Sequence, residues 1–122
     1  MHLVMVATDG SDGGDRAVDM AATLAKGCGA GLLILTVMDG SAESGLDIDA
    51  LARAEGGLGE GFELVANTIL QHAGERARQQ GVDPLDLRSG WGDPAHVILE
   101  TVRETKADVV VVGRRGRGRP AG

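Results

Sequence analysis

Short runs of consecutive apolar residues alternate along the chain with stretches in which apolar residues recur at helical spacing. The runs HLVMVAT (2–8) and GLLILTV (31–37) are typical of strands buried on both faces of a sheet. Apolar and polar residues alternate in PLDLRSG (84–90), which indicates a strand nearer the sheet edge, and ADVVVVG (107–113) predicts a fourth strand. The chain therefore contains four predicted strands.

Three amphipathic helices are predicted between these strands. The first helix ends at Gly27 or Gly29, and its predicted buried face is Ala17, Met20, Ala21, Leu24 and Cys28. The second helix is closed by Gly81, and its predicted buried face is Phe62, Val65, Ala66, Ile69, Leu70, Ala73 and Ala77. The third helix has Asp93 as its N-cap and Pro94 at its first position, and its predicted buried face is Ala95, Ile98, Leu99 and Val102.

Residues 39–61 do not follow either periodicity. This segment is acidic and rich in glycine, and we interpret it as a long, variable and mobile loop. The remaining order of strands and helices indicates an α/β fold in a single domain spanning residues 1–122. The predicted architecture is a doubly wound, Rossmann-like parallel sheet with strand order 3-2-1-4 and helices on both faces.

A doubly wound sheet binds its ligands at the carboxyl ends of the strands, where the chain reverses direction. In the order 3-2-1-4 the reversal lies between the first and fourth strands. The two loops at that point are TDGSDGG, after the first strand, and GRRGRG, after the fourth strand. The pattern therefore places a candidate binding site between these two loops.

Composition and charge limit the partners and the cellular compartment that are expected for this protein. A formal net charge of -6 argues against nucleic acid as the main partner, although the arginines at 114, 115, 117 and 119 leave RNA binding by the C-terminal segment as an alternative. Cys28 is the only cysteine, which fits a reducing cytoplasm, and we expect it to be a small buried apolar residue. No apolar run approaches the length of a membrane span, so no membrane association is expected.

The candidate loops carry residues suited to binding rather than to turnover. A carboxylate at Asp9 can accept hydrogen bonds from a ribose hydroxyl or a base amine; alternatively, it caps the following helix or closes a turn. Gly113 and Gly116 allow the backbone to approach a ligand, and Arg115 can add charge-assisted bonds to phosphate. The spacing of His, Cys, Ser and Asp supports neither a metal site nor a catalytic triad, so an enzymatic activity is not expected.

The order of several motifs resembles the universal stress protein family over essentially the whole chain. The diagnostic pieces are the aspartate after the first strand, the Gly-Asp-Pro-Ala start of the third helix and the segment DVVVVGRRG. Nucleotide-binding members share a motif of glycine, two residues, glycine, nine residues and then Gly-Ser or Gly-Thr. Gly113 and Gly116 match its first half, whereas the second half would begin around position 126.

The resemblance implies roles for matching positions. Ala7, Thr8 and Asp9 would line the adenine and ribose, and Val37 would present its backbone to the base. Gly113, Arg115 and Gly116 would approach the ribose and phosphate. In the family, the segment beyond position 122 supplies further phosphate contacts, a last helix and a fifth strand used in dimerisation, so the fifth strand is expected to be absent here.

The function implied by the resemblance is that of a stress sensor or regulator that binds an adenine nucleotide. The ligand would be ATP or AMP, with Mg²⁺ accompanying ATP, and the residues do not choose between these and cyclic AMP. The partner expected beside the nucleotide is a second copy in a homodimer. Two alternatives stay open: a dimeric interaction protein of the same fold that binds no nucleotide, and a slow ATPase or phosphotransferase.

Overall fold

The computed structural model describes residues 1–39 and 57–113. Its strands are β1 (Leu3–Ala7), β2 (Gly31–Met38), β3 (Leu85–Trp91) and β4 (Val109–Val112). Its helices are α1 (Asp12–Cys28), α2 (Gly57–Gln79) and α3 (Pro94–Thr105). Strands and helices alternate along the chain, as the hydrophobic pattern predicts.

The four strands form one parallel sheet in the order β3-β2-β1-β4. The chain moves outward from β1 to β3 through α1 and α2, and then returns past β1 to β4 through α3. The predicted fold class and strand order are confirmed. The reversal of direction lies between β1 and β4, so their carboxyl ends form the predicted crevice.

Helices α1 and α2 cover one face of the sheet, where small side chains allow close packing. Val4, Val6, Leu32 and Ile34 point from β1 and β2 toward these helices. The face of α1 that meets them is made of Ala17, Val18, Ala21, Ala22 and Ala25, all of which are buried. Because alanine brings the helix backbone near the sheet, this core reaches full burial with almost no aromatic residues.

The opposite face of the sheet is covered by α3. Met5, Leu33 and Leu35 form its buried centre, and Val97, Ile98 and Val102 of α3 pack against them. This face is less completely covered than the other one, because α3 contacts β2 and β3 and leaves part of β4 open. Val110 and Val112 point to this side and are 39% and 55% exposed.

Two residues of the predicted α1 face lie outside the core. Met20 is 64% exposed, and Cys28, predicted to be buried, is an exposed free thiol. The buried stripe of α1 passes through Val18 and Ala22 instead, and Cys28 is the last helical residue before the left-handed C-cap at Gly29, where the helix ends. The predicted end of the helix is therefore confirmed, whereas the burial of Met20 and Cys28 is wrong.

The buried face of α3 is also rotated from the predicted one. Ala95 and Leu99 are exposed, whereas Val97 packs into the core and Thr101 is buried. The hydroxyl of Thr101 donates to the carbonyl oxygen of Val97 at 2.8 Å. This bond within the helix lets a polar residue occupy a core position, which the hydrophobic pattern cannot indicate.

Helix α2 begins at Gly57, whereas the sequence pattern places its start at Phe62. The last residues of the predicted loop 39–61 are therefore helical. Residues 40–56, to which the rest of the loop prediction applies, lie outside the described residues. In the described parts of the chain, no helix is both long enough and apolar enough to cross a membrane.

A polar cluster joins α1 to α2 at the surface of their shared core. Arg76 donates to both carboxylate oxygens of Asp19, at 3.0 and 2.6 Å, and Gln80 donates to the Asp19 carbonyl oxygen. The hydrogen bond to Asp19 raises the pKa of Arg76 above its already high value, so the pair stays charged. The bidentate geometry fixes the register of the two helices.

Asp108 connects the start of β4 to the start of β1. Its carboxylate accepts hydrogen bonds from the backbone nitrogens of Leu3 and His2, at 3.0 and 2.8 Å. These bonds, the Leu3 bond foremost, lower the pKa of Asp108 below its ordinary value of 3.8. The charged form of Asp108 therefore stabilises the pairing of the two strands.

We predict that Asp108→Asn destabilises the protein at neutral pH and that the difference from the unsubstituted chain shrinks in acid. Because the pKa of Asp108 is lower in the folded state than in the unfolded state, its contribution is present above the unfolded value. That contribution is lost as pH falls through the folded-state pKa. Urea midpoints measured at neutral pH and below about pH 3 test this; a difference that does not change with pH would contradict it.

Candidate functional site

The candidate site begins where β1 ends, and a buried hydrogen bond holds this point in place. Thr8 follows β1, and its backbone nitrogen donates to the carbonyl oxygen of Leu35 at 2.9 Å. The hydroxyl of Thr36 is fully buried and donates to the Thr8 carbonyl oxygen at 2.7 Å. The carboxyl end of β1 is thereby fixed to β2 beyond the last paired residues of the two strands, Ala7 and Leu35.

Asp9 closes the turn that leads from β1 into α1. Its Oδ1 atom accepts hydrogen bonds from both the backbone nitrogen and the hydroxyl of Ser11. Gly10, between them, has a φ of 84° and donates its backbone N–H to the Thr8 hydroxyl. The turn-closing role considered for Asp9 is thus observed, and since a carboxylate accepts several hydrogen bonds at once, this role is compatible with a ligand contact.

The N-terminus of α1 points into the same region. Ser11 is its N-cap, and the Ser11 hydroxyl accepts from the backbone nitrogen of Gly14 at 3.1 Å. The first turn carries Asp12 and Asp15, and Asp15 lies 3.8 Å from Arg76 and 3.5 Å from His72. The helix dipole favours anions here, whereas the carboxylates oppose them, so a bound phosphate would need a cation nearby.

Two glycines allow the end of β4 to lie against the start of α1. A Cβ atom at Gly113 would overlap the Gly13 carbonyl oxygen and lie 2.9 Å from the Cα of Gly14. A Cβ atom at Gly14 would overlap the Thr8 hydroxyl and lie 3.0 Å from Oδ1 of Asp9. Gly14 is therefore a shared neighbour of Thr8, Asp9 and Gly113. Backbone contact, rather than side-chain contact, joins the two predicted loops.

Val37 lies at the end of β2, on the opposite side of β1 from β4. It is the penultimate residue of β2, pairs with Gly90 of β3 and packs with the core under α3. The ladder between β1 and β2 stops at Leu35, so Val37 extends past the end of β1. The family resemblance implies a backbone contact between Val37 and the base at this position.

The structure brings Ala7, Thr8, Asp9 and Gly113 together at the ends of β1 and β4, with Val37 at the adjoining strand end. Arg115 and Gly116 lie outside the described residues. Sequence reasoning placed the loop TDGSDGG at the candidate site but did not single out Gly14 within it. The signal that could have found it is a glycine pair inside the first turn of a helix, where glycine is unfavourable without a packing reason.

In residues 1–39 and 57–113, no three His, Cys, Asp or Glu side chains are grouped so that they could hold one. What the site presents is the backbone at Gly14 and Gly113 beside the carboxylate of Asp9, the N-terminus of α1 and the end of β4. Such a surface is suited to binding a polar ligand whose atoms approach the main chain.

Comparison with known proteins assigns the chain to a family. The model of the universal stress protein family matches residues 1–122. The chain belongs to the universal stress protein family. The universal stress protein Rv1636 of Mycobacterium tuberculosis is 34% identical over 98% of this chain and 80% of the relative. The crystal structure of Rv1636 superimposes with a TM-score of 0.67, covering 99% of this chain and 77% of that one.

Two other members of the family have been solved with nucleotides. A universal stress protein in complex with cAMP has a TM-score of 0.69 and 33% identity, covering 91% of this chain and 75% of that chain. A universal stress protein from Archaeoglobus fulgidus in complex with dAMP has a TM-score of 0.66 over 92% of this chain and 80% of that chain. Its identity is 19%, so this second likeness shows the shared fold alone.

We predict opposite effects for the same substitution at two glycines of α1. Gly14→Ala should destabilise the protein by about 1–3 kcal/mol, because the new methyl group overlaps the Thr8 hydroxyl. Gly27→Ala should stabilise it by about 0.5–1 kcal/mol, because a Cβ there meets nothing within 4 Å and alanine favours the helix. Chemical denaturation measures both; equal effects at the two positions would show that Gly14 is not sterically required.

Proposed function

We propose that this protein binds an adenine nucleotide in the crevice between the ends of β1 and β4 and acts as a sensor or regulator. The observation that carries the proposal is the backbone contact of Gly113 with Gly13 and Gly14, directly beside Asp9. This contact brings Gly113, at the end of β4, against the start of α1 at the reversal of the sheet, where doubly wound folds bind nucleotides. The cAMP complex of a 33% identical family member supports the choice of ligand class.

In this proposal each part of the crevice meets a different part of the ligand. Asp9 accepts a hydrogen bond from a ribose hydroxyl while it holds the turn at Ser11. Ala7, Thr8 and the backbone of Val37 line the base. The backbone at Gly113 approaches the ribose and phosphate, with Arg115 and Gly116 continuing the same loop. Asp9, Asp12 and Asp15 are acidic residues near the N-terminus of α1. Their negative charges make a cation necessary beside the phosphates of the ligand.

The kind of cation that is needed differs between the candidate ligands. Arg115 can pair with the single phosphate of AMP or cyclic AMP. The triphosphate of ATP carries more charge, and Mg²⁺ bound to its oxygens would reduce the repulsion from the carboxylates. Binding without chemical turnover is part of the proposal, and the nucleotide then stabilises the folded protein by an amount that rises with the logarithm of its concentration above the Kd.

We propose that the protein works in the cytoplasm. We also propose that nucleic acid is not its main partner. The only thiol, Cys28, is exposed, and an exposed free thiol persists in a reducing compartment. A net charge of -6 gives an unfavourable interaction with a polyanion over most of the surface.

Titration calorimetry with ATP, AMP and cyclic AMP tests the nucleotide proposal. We expect Asp9→Asn to weaken binding by about ten-fold or more, because it removes the charge from a hydrogen bond to the ligand while an asparagine oxygen can still close the turn. Asp12→Asn is the matched control, since Asp12 is exposed in the adjacent helical turn, and it should keep most of the affinity.

Two results would contradict the nucleotide proposal. One is a folded protein that binds none of the three nucleotides with or without Mg²⁺. The other is nucleotide affinity that Asp9→Asn and Asp12→Asn change equally, since a general charge effect would then replace a specific contact at Asp9.

A second candidate function is homodimerisation without a nucleotide, and the exposed side of β4 favours it. Among the described residues, β4 pairs only with β1, so its other edge offers unpaired backbone groups. Val112 and Val110 are exposed on this strand, and Leu99 of α3 is 54% exposed on the same face of the sheet. An apolar strand edge of this kind pairs readily with another chain.

Sedimentation velocity over a range of concentrations tests dimerisation. We expect the unsubstituted chain to dimerise and Val112→Lys to shift it to monomer, because a lysine on the edge strand opposes pairing. Leu64→Lys is the matched control, since Leu64 is 64% exposed on α2 and should leave the dimer intact. A chain that is monomeric at every concentration would rule out this function.

A further inference from the structure

A second pocket lies on the carboxyl edge of the sheet, between β2, β3 and α2. Its volume is about 230 Å³. In the part of the chain that the structure describes, four apolar side chains and two polar ones line it: Met38, Phe62, Ala66, Trp91, Glu63 and Ser89. Gly90, which also lines the pocket, pairs with Val37, but none of the lining residues belongs to β1, to β4 or to the turn between β1 and α1. The pocket therefore lies apart from Asp9 and Gly113.

The walls of this pocket come from regular elements that pack tightly. Met38 and Trp91 are the last residues of β2 and β3, and they are paired in register. The backbone nitrogen of Gly92 donates to the Met38 carbonyl oxygen at 3.0 Å and extends this pairing past the strand ends. Phe62 and Ala66, one turn apart on α2, are buried against Met38. The pocket is therefore preformed on a rigid base.

The chain contains only two aromatic residues, and both of them line this pocket. Both of them, Phe62 and Trp91, meet here with ring centroids 4.9 Å apart and an interplanar angle of 71°. Phe62 is 7% exposed, whereas Trp91 is 61% exposed. The edge-to-face contact holds the indole in place while more than half of its surface remains open to solvent. A fixed, exposed indole at the mouth of a pocket is suited to ligand contact.

The charge of the pocket indicates the class of ligand. Among the described residues that line it, Glu63 is the one that carries a charge, and it is exposed next to Phe62 on α2. An aromatic ring attracts cations over its face, and a carboxylate pairs with an ammonium group. Met38 and Ala66 add an apolar base, and the Ser89 hydroxyl adds one more hydrogen-bonding group.

We propose that this pocket binds a small organic cation, an ammonium group carried on an aromatic or aliphatic body. The body lies against Met38, Ala66 and Phe62, while the ammonium group lies between Trp91 and Glu63. This ligand is different in charge from a nucleotide, and its site is two strands away from β4. The proposal therefore does not depend on nucleotide binding.

Trp91 provides the measurement, because it is the only tryptophan in the chain and its fluorescence reports on this pocket alone. The full chain is titrated with 2-phenylethylammonium and, in parallel, with 2-phenylethanol, which has the same ring and no charge. We expect the ammonium compound to change the fluorescence in a saturable way at lower concentration than the alcohol. Asp9→Asn should leave this titration unchanged.

Glu63→Gln keeps the shape of the side chain and removes its charge. We expect it to weaken binding of the ammonium compound by roughly two- to five-fold, the effect of one partly exposed ion pair, and to leave the alcohol unaffected. Glu75→Gln, an exposed substitution elsewhere on α2, is the matched control and should change neither titration. Fluorescence that responds to neither compound, equal responses to both, or equal effects of the two substitutions would overturn the proposal.

Discussion

The structure depends most on the crowding of backbone at the carboxyl end of β1. Gly14 lies against Thr8 and Asp9 on one side and against Gly113 on the other, at distances that leave no space for a Cβ atom. This contact sets how near α1 can approach the sheet and where the chain leaves β4. Since the candidate crevice is bounded by the same atoms, the packing of the fold and the shape of the site have one common cause.

The close packing at Gly14 continues through the core of the domain. Alanines on α1 continue the close approach that begins at Gly14, and the buried hydroxyl of Thr36 holds β2 to the end of β1. At the helix surface, the bidentate pair of Arg76 and Asp19 fixes α2 against α1. One face of the sheet is thereby rigid from β3 to β1, whereas the α3 face is left partly open over β4.

The carboxyl edge of the sheet thus carries two different surfaces. Near β1 and β4 it is lined by backbone and by Asp9, and this is the part for which we propose nucleotide binding. Near β2 and β3 it is lined by Phe62 and Trp91 with one carboxylate at the rim.

The sequence by itself determined the class of fold, the order of its elements and the position of the crevice. Buried runs and helical spacing are repeated signals, and the strand order follows from the rules of parallel sheets. Family motifs added Ala7, Thr8, Asp9, Val37 and Gly113 as candidate residues, and the structure places all five at adjoining strand ends.

Only the tertiary structure decided which side chains are buried and what the candidate residues contact. The exposure of Met20 and Cys28 follows from the choice of an alanine stripe on α1, and a helix has several possible stripes of similar hydrophobicity. Gly14 has no room for a Cβ atom because of Thr8 and Asp9, and Gly113 has none because of Gly13 and Gly14, which are distant from it in sequence. The pairing of Phe62 with Trp91 likewise joins α2 to β3, and no local pattern encodes a contact between separate elements.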